Sequence, residues 1–168
     1  MAARAPKPAA PPPAGPAPTV LVMGAGNIGC WLGGRLQAAG ATVHFVVRPR
    51  MLQALAAQGL TLTDMDSGQL QLPAAQLQLH DAVPAGLQPD LVLLCVKSGA
   101  TAAAATELAA ALPAGTLVLS MQNGISNVDV AQAAAPGLTW LRGMVPYNVA
   151  ELAPGRLHRG TAGQLAVQ

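Results

Sequence analysis

One short loop has the residue types and the spacing that could hold the phosphates of a dinucleotide. It consists of Gly24, Ala25, Gly26, Asn27, Ile28 and Gly29. In this G-x-G-x-x-G pattern the first glycine permits a tight turn, and the second lets a pyrophosphate approach the backbone. The third lets the following helix pack closely on its strand. The first turn of that helix would offer N–H groups and the positive end of its dipole to the phosphates.

The pattern alone is weak in a chain with 18 glycines, because a plain glycine turn would give the same letters. Its flanking elements supply the missing context. The apolar run 20–23 predicts a strand buried on both faces of a parallel sheet, and a helix-like stretch follows the loop as far as Gly40. A second strand is predicted over residues 42–47. The resulting strand-helix-strand unit favours a nucleotide site over a structural turn.

Arg48 ends the second predicted strand, at the position where NAD-binding proteins place an acidic residue for the ribose hydroxyls. A guanidinium there suits a 2′-phosphate instead, because its planar fork can donate two hydrogen bonds at once. We therefore hypothesise that the cofactor is NADPH, with Arg48 as the main determinant. The alternative is a solvated surface arginine.

Two further polar residues follow later apolar runs, where ligands bind in open parallel sheets. Lys97 comes directly after the run 91–96 and could donate to a ribose, a phosphate or a reacting carbonyl. Asn123 follows the run 116–121, and its amide could both donate to and accept from a substrate or a ribose. Each has a structural alternative, a solvated lysine and an Asn-Gly turn respectively.

Length and composition restrict the function classes. With 168 residues, 52% hydrophobic but 2% aromatic, the chain can form one domain with a core of Ala, Leu and Val. A net charge of +2 gives no field that would indicate nucleic acid as a partner. The uncharged stretch 19–34 is shorter than the roughly 20 residues of a membrane span, and prolines replace the apolar core of a signal peptide. A cytoplasmic protein without membrane contact is expected.

The cysteines and histidines predict neither a metal site nor a disulfide. Cys30 and Cys95 are interpreted as buried thiols of a reducing compartment. His44, His80 and His158 lack metal-ligand spacing and are treated as structural. No nucleophile motif and no paired catalytic carboxylates are visible, so hydrolase chemistry is not supported.

The remaining chain predicts an α/β fold of the Rossmann-like, doubly wound type, with a mainly parallel sheet. Residues 1–18 are rich in Ala and Pro and are expected to be a disordered extension, and residues 19–168 to form the NADP-binding domain. A second helix should begin at Pro49 and end at Gly59. Alternating polar and apolar residues at 69–72 and 76–79 predict a small antiparallel insertion.

Four features occur in a characteristic order and at characteristic intervals: the glycine loop, Arg48, the Val-Lys-Ser strand end at residues 96–98 and the Gln-Asn-Gly-Ile loop at residues 122–125. This combination resembles the ketopantoate reductase (2-dehydropantoate 2-reductase) family. The resemblance extends from about Thr19 to Gln168. It implies NADPH-dependent reduction of ketopantoate to pantoate, on the route to pantothenate and coenzyme A. By position, residues 24–29 would hold the pyrophosphate and Arg48 the 2′-phosphate. Lys97 would contact the cofactor, Asn123 would lie between cofactor and substrate, and residues 148–149 would approach the nicotinamide.

The sequence departs from the family pattern at its end. Family members continue into a mainly helical second domain that supplies a proton-donating lysine and most substrate contacts, and this chain stops before it. No catalytic residue is therefore expected in this chain, and the lysine is expected beyond Gln168. The chain should bind NADPH with little turnover alone. Reduction of another 2-keto acid and a non-catalytic NADPH-binding role stay open, as does a homodimer through an exposed apolar face.

Overall fold

The computed structural model describes residues 15–168, which form two sheets and four α-helices. The strands are β1 (Thr19–Met23), β2 (Thr42–Val46), β3 (Leu60–Asp64), β4 (Gln69–Leu72), β5 (Gln78–His80), β6 (Leu91–Leu94), β7 (Leu117–Ser120), β8 (Thr139–Met144), β9 (Val149–Ala153), β10 (Arg156–Arg159) and β11 (Ala166–Val167). The helices are α1 (Asn27–Ala38), α2 (Pro49–Gln58), α3 (Thr101–Ala111) and α4 (Asn127–Ala134). Short 3-10 turns cover Ala74–Gln76 and Ser98–Ala100.

The main sheet has the strand order β11-β8-β7-β6-β1-β2-β5. Its strands from β8 to β5 are all parallel, and β11 pairs antiparallel with the β8 edge. The apolar runs that predicted central strands are buried as expected, with Leu21, Val22 and Val92 fully inaccessible to solvent. The mainly parallel sheet predicted from the sequence is thereby confirmed. The order reverses on either side of β1, so the switch point of the sheet lies between β1 and β6.

A second sheet, β4-β3-β10-β9, packs on the outer side of α1. Two adjacent glycines make α1 thin enough to lie between the sheets. A Cβ on Gly33 would overlap the ring of Phe45 and lie 3.0 Å from Val22 in the main sheet. A Cβ on Gly34 would lie 2.9 Å from both Leu60 and Leu62 in the second sheet.

The insertion prediction was only half right. Residues 69–72 do form an antiparallel pair with β3, but residues 76–79 are not a second antiparallel strand. Ala74–Gln76 is a 3-10 turn, and β5 joins the main sheet parallel to β2. The reason is that alternation reports a half-buried strand without specifying its direction, and an edge strand of a parallel sheet is also half-exposed. The second sheet is also mixed, since β10 runs parallel to β3 and antiparallel to β9.

Other boundaries differ only slightly from those predicted. The strand expected over 91–96 ends at Leu94, so Cys95 follows the strand instead of lying inside it. Pro49 occupies the start of α2, and Gly59 ends it with φ of +74°. The disorder predicted for residues 1–18 falls mostly outside the described residues. Among the helices of residues 15–168, none has the length and apolarity to cross a membrane.

Adding one methyl group at Gly33 should destabilise the protein. The Gly33→Ala Cβ must displace the fully buried ring of Phe45, and overpacking of this kind costs about 1–3 kcal/mol, against a gain in helix propensity of about 1 kcal/mol. We expect a net loss of about 1 kcal/mol in urea unfolding followed by circular dichroism. Gly137→Ala, where a Cβ would meet no atom within 4 Å, is the control. Equal stability of the two variants would contradict this packing account.

A histidine pair at the sheet edge predicts acid sensitivity. Nδ1 of His44 lies 3.0 Å from Nε2 of His80, and burial, with a contribution from the neighbouring His80 charge, lowers the pKa of His44 below its ordinary 6.5. The folded state then binds fewer protons than the unfolded state in this range. The free energy of unfolding contributed by His44 should therefore be present above about pH 6.5 and decrease as the pH falls through the lowered folded-state pKa.

Urea unfolding at a series of pH values would measure this effect. His44→Asn should flatten the decrease in stability on the acid side of about pH 6.5, because it removes the titrating group. An unchanged slope in this variant would show that other groups cause the acid sensitivity.

Candidate dinucleotide site

The sheet brings the four predicted site segments to one edge. The loop after β1 is tied to the end of β2, because the N–H of Ala25 donates to the carbonyl of Val46 at 2.9 Å. The end of β1 is joined to the residue after β6, because the N–H of Cys95 donates to the carbonyl of Met23 at 2.8 Å. Strand β7 pairs with β6 on the side opposite to β1. The carboxyl ends of these strands thus carry, in spatial order, Arg48, residues 24–29, Lys97 and Asn123.

Two of the three motif glycines are required by the protein's own packing. Gly24 has φ of +86°, and a Cβ there would lie 2.5 Å from Cγ1 and 2.8 Å from the backbone N of Val96. A Cβ on Gly29 would lie 2.8 Å from the carbonyl oxygen of Gly24 and 2.9 Å from Val22. The glycine loop therefore touches the β6 loop directly, at the switch point of the sheet.

Gly26 differs from both, because the fold does not need a glycine there. It is exposed, its φ of −81° suits any residue, and a Cβ would meet no protein atom within 4 Å. Gly26 is also the N-cap of α1, whose first turn receives no side-chain cap and contains no acidic residue. This leaves N–H donors and open space in front of the helix. Such a cradle of free N–H donors is typical of phosphate sites, and a side chain at position 26 would fill it.

The side chains of the loop have structural contacts of their own. Ala25 is buried, and Ile28 packs against the core beside it. Nδ2 of Asn27 donates to the carbonyl of Val149 at 3.1 Å, which fastens the start of α1 to β9. The segment 148–149 thus lies next to the glycine loop. The loop presents its backbone, more than its side chains, to a ligand.

Arg48 lies where β2 passes into α2 and is exposed. Within residues 15–168 no carboxylate lies within ion-pair distance of its guanidinium. Its neighbour Arg50 is different, since it lies 3.7 Å from Glu151 of β9 while its side chain is 83% exposed. Among the described residues, Arg48 therefore has a solvent-exposed guanidinium without an ion-pair partner at the carboxyl end of β2.

Lys97 and Asn123 are both exposed and belong to neighbouring loops. Ser98 connects the two, because its hydroxyl donates to the carbonyl of Asn123 at 3.5 Å. A cavity of about 340 Å³ adjoins Asn123 on the side away from the glycine loop, between Ile125 and Met144. Among the described residues there is no group of His, Cys, Asp and Glu that could hold a metal ion.

The thiol of Cys30 is hydrogen-bonded to the backbone of the glycine loop. Its Sγ donates to the carbonyl of Ala25 at 3.2 Å. Burial, with a smaller contribution from the charge of Glu151, raises the pKa of Cys30 to about 12, and burial followed by the nearby Cys30 raises that of Cys95 to about 12. Both cysteines are free. They stay protonated at neutral pH, so they serve packing and hydrogen bonding instead of nucleophilic chemistry.

Sequence reasoning missed the buried polar residues behind the site. Gln122, Thr101 and Asn127 are 9%, 0% and 6% exposed and are hydrogen-bonded to each other or to the site loops. Gln122 belongs to the recognised Gln-Asn-Gly-Ile motif, but Thr101 and Asn127 are marked in the sequence only by their polar residue type. Residue type alone does not show whether a polar side chain is buried or exposed.

The strand order β5-β2-β1-β6-β7-β8, with a glycine loop at its switch point, defines a nucleotide-binding domain fold of the Rossmann-like class. The model of the family described as "Ketopantoate reductase PanE/ApbA" matches residues 20–168. The chain belongs to this family, which confirms the resemblance stated from its motifs.

Individual relatives agree with this assignment. The chain is 31% identical over 150 residues to the 2-dehydropantoate 2-reductase of Halobacterium salinarum, covering 88% of this chain and 48% of the relative. It is 33% identical over 110 residues to the enzyme of that name from Pyrococcus horikoshii, covering 66% and 34%. A PanE/ApbA family ketopantoate reductase structure from Ralstonia eutropha superposes with a TM-score of 0.79 and 34% identity, covering 89% of this chain and 48% of that one. The chain therefore spans about half the length, or less, of the relatives it matches.

Proposed function

We propose that this chain is the NADPH-binding domain, residues 19–168, of a 2-dehydropantoate 2-reductase that converts ketopantoate to pantoate. The observation that carries the proposal is the Gly26 cradle, where the fold leaves space and donors for a pyrophosphate that it does not itself need. Membership of the ketopantoate reductase family and the names of the relatives support the reaction and the substrate. Pantothenate and coenzyme A synthesis would be the setting, and a homodimer and a cytoplasmic location stay predictions.

In this proposal each group of site residues binds a different part of the cofactor. The backbone of residues 24–29 and the first turn of α1 would hold the pyrophosphate by N–H donors and by the helix dipole. Arg48, without an ion-pair partner of its own among the described residues, would bind the 2′-phosphate bidentately. Lys97 and Asn123, one and two strands beyond β1 in the sheet, would hold the ribose and nicotinamide end, with Asn123 also donating to the substrate. The bound cofactor would supply the hydride for the keto carbon.

A second candidate function is reduction of a different 2-keto acid. It stays open because the region that this chain matches is about half of each relative. The described residues give the cofactor site but only one candidate substrate contact, Asn123. Comparison of ketopantoate with other 2-keto acids as substrates of a protein containing this domain would separate the two.

The chain alone is expected to bind NADPH but to oxidise it slowly. Reduction of a ketone needs a proton donor as well as a hydride, and we propose that the donor lysine belongs to the part of the relatives that this chain does not match. NADPH absorbance followed with ketopantoate should show a rate at least about 1,000-fold below common kcat values of 1–1,000 per second. A rate within that common range would overturn the expectation that no catalytic residue lies in this chain.

A further inference from the structure

Gln122 lies beneath the candidate site, where the loop after β6 meets the loop after β7. It follows β7 and is buried, and its amide is almost fully hydrogen-bonded. Nε2 donates to the carbonyl of Val96 at 2.8 Å and to the hydroxyl of Thr101 at 2.8 Å, and Oε1 accepts from the hydroxyl of Ser120 at 3.0 Å. One side chain thus ties the end of β7 to the loop after β6 and to the start of α3.

The hydrogen bond to Val96 is the most informative, because Val96 adjoins two candidate ligand-binding residues, Lys97 and Gly24. It immediately precedes Lys97, and it is also the residue that closes on Gly24, within 2.8 Å of where a Cβ would be. The hydrogen bond from Gln122 therefore fixes the backbone from which Lys97 projects, at the point where that backbone meets the glycine loop.

The same network also fixes Asn123. Nδ2 of Asn127 donates to the carbonyl of Asn123 at 2.7 Å, and its Oδ1 accepts from the hydroxyl of Thr101 at 3.5 Å. The backbone of Asn123 is thus held on one side by its neighbour Gln122 and on the other by Asn127. Gln122, Thr101 and Asn127 are buried and hydrogen-bonded to one another or to the site loops, which is the condition under which a polar network stiffens a structure.

We propose that Gln122 is the positioning residue of the cofactor site, setting the placement of Lys97 relative to the glycine loop without touching the ligand. This inference rests on the proposed function, since it assumes that NADPH binds at this edge. A residue that only stabilised the fold would affect binding independently of Lys97. A residue that acts through Lys97 would lose most of its effect once Lys97 is removed.

A double-mutant cycle on NADPH binding by the 168-residue chain separates these cases. We expect Gln122→Met and Lys97→Ala each to weaken NADPH binding about tenfold, the loss of about one hydrogen bond to a charged group. In the Lys97→Ala background, Gln122→Met should weaken it by no more than about threefold. Thr106→Val, which loses a hydroxyl bond to Ala102 on the exposed side of α3, is the control and should leave NADPH binding unchanged.

Additive effects, with the double variant about a hundredfold weaker, would overturn the positioning role while leaving the cofactor site intact. Absence of NADPH binding by the unmodified chain would overturn the proposed function, and the inference with it. If Gln122→Met does not fold, Thr101→Val and Thr101→Ser decide instead. Thr101→Val should weaken NADPH binding, and this effect should be non-additive with that of Lys97→Ala. Thr101→Ser keeps the hydroxyl and should bind NADPH as tightly as the unmodified chain. Equal binding by these two would overturn the proposal.

Discussion

Gly26→Val should abolish most NADPH binding while the fold stays intact, with a loss of stability of about 1 kcal/mol because valine is a poorer helix N-cap than glycine. The branched side chain would occupy the space in front of α1 that we assign to the pyrophosphate, and would shield the N–H donors of the first turn. We expect the dissociation constant for NADPH to rise by about a hundredfold or more, which corresponds to about 2.7 kcal/mol. Isothermal titration calorimetry with NADPH measures the affinity, and thermal unfolding without ligand measures the stability.

Two comparisons make this result specific. Gly137→Ala, at another glycine with open space around its Cβ position but away from the site, should change neither quantity. Gly24→Ala should lower both, because its φ is positive and Val96 closes on it. If Gly26→Val bound NADPH as tightly as the unmodified chain, the phosphates would have to lie elsewhere.

Arg48→Glu should reverse the preference between the two nicotinamide cofactors. The change removes charge-assisted hydrogen bonds worth about 1.5–3 kcal/mol and sets a carboxylate against the 2′-phosphate, so NADPH binding should weaken about a hundredfold. NADH has hydroxyls at that position, and its binding should stay within about threefold or improve, because a carboxylate can accept from both ribose hydroxyls. Competition titrations of the two cofactors give the ratio directly.

The matched control for Arg48→Glu is Arg156→Glu. Arg156 is an exposed residue of β10, away from the carboxyl edge of the main sheet, and the substitution changes the net charge by the same amount. It should leave the NADPH to NADH ratio as it was. A ratio that moved equally in both variants would indicate a general effect of charge, and a ratio that moved in neither would exclude Arg48 as the determinant.

The sequence was most informative where a local pattern has one physical meaning. The run 20–23 has no polar residue, which favoured a central strand, and the glycine spacing after it, with its flanking elements, favoured a turn into a helix. Arg48, Lys97 and Asn123 were found because each follows an apolar run, and parallel strands end at one edge of their sheet. The grouping of these residues at that edge follows from topology, although their roles toward a ligand stay predictions.

The parts that were missed depend on contacts far apart in the chain. The direction of β5 is set by pairing with β2, more than thirty residues earlier, and alternation at 76–79 could not report it. Gln122 belongs to a motif that was recognised, yet its role depends on Val96 and Thr101, which lie 26 and 21 residues away in sequence. The second sheet likewise depends on β10, which pairs with β3 although it lies more than ninety residues later in the chain.

Titration of the unmodified chain with NADPH and with NADH tests the central claim most directly. If residues 24–29 and Arg48 form an NADP site, NADPH should bind saturably at one site per chain and at least about tenfold more tightly than NADH, a difference of about 1.4 kcal/mol. Absence of saturable binding by either cofactor, or tighter binding of NADH, would contradict it.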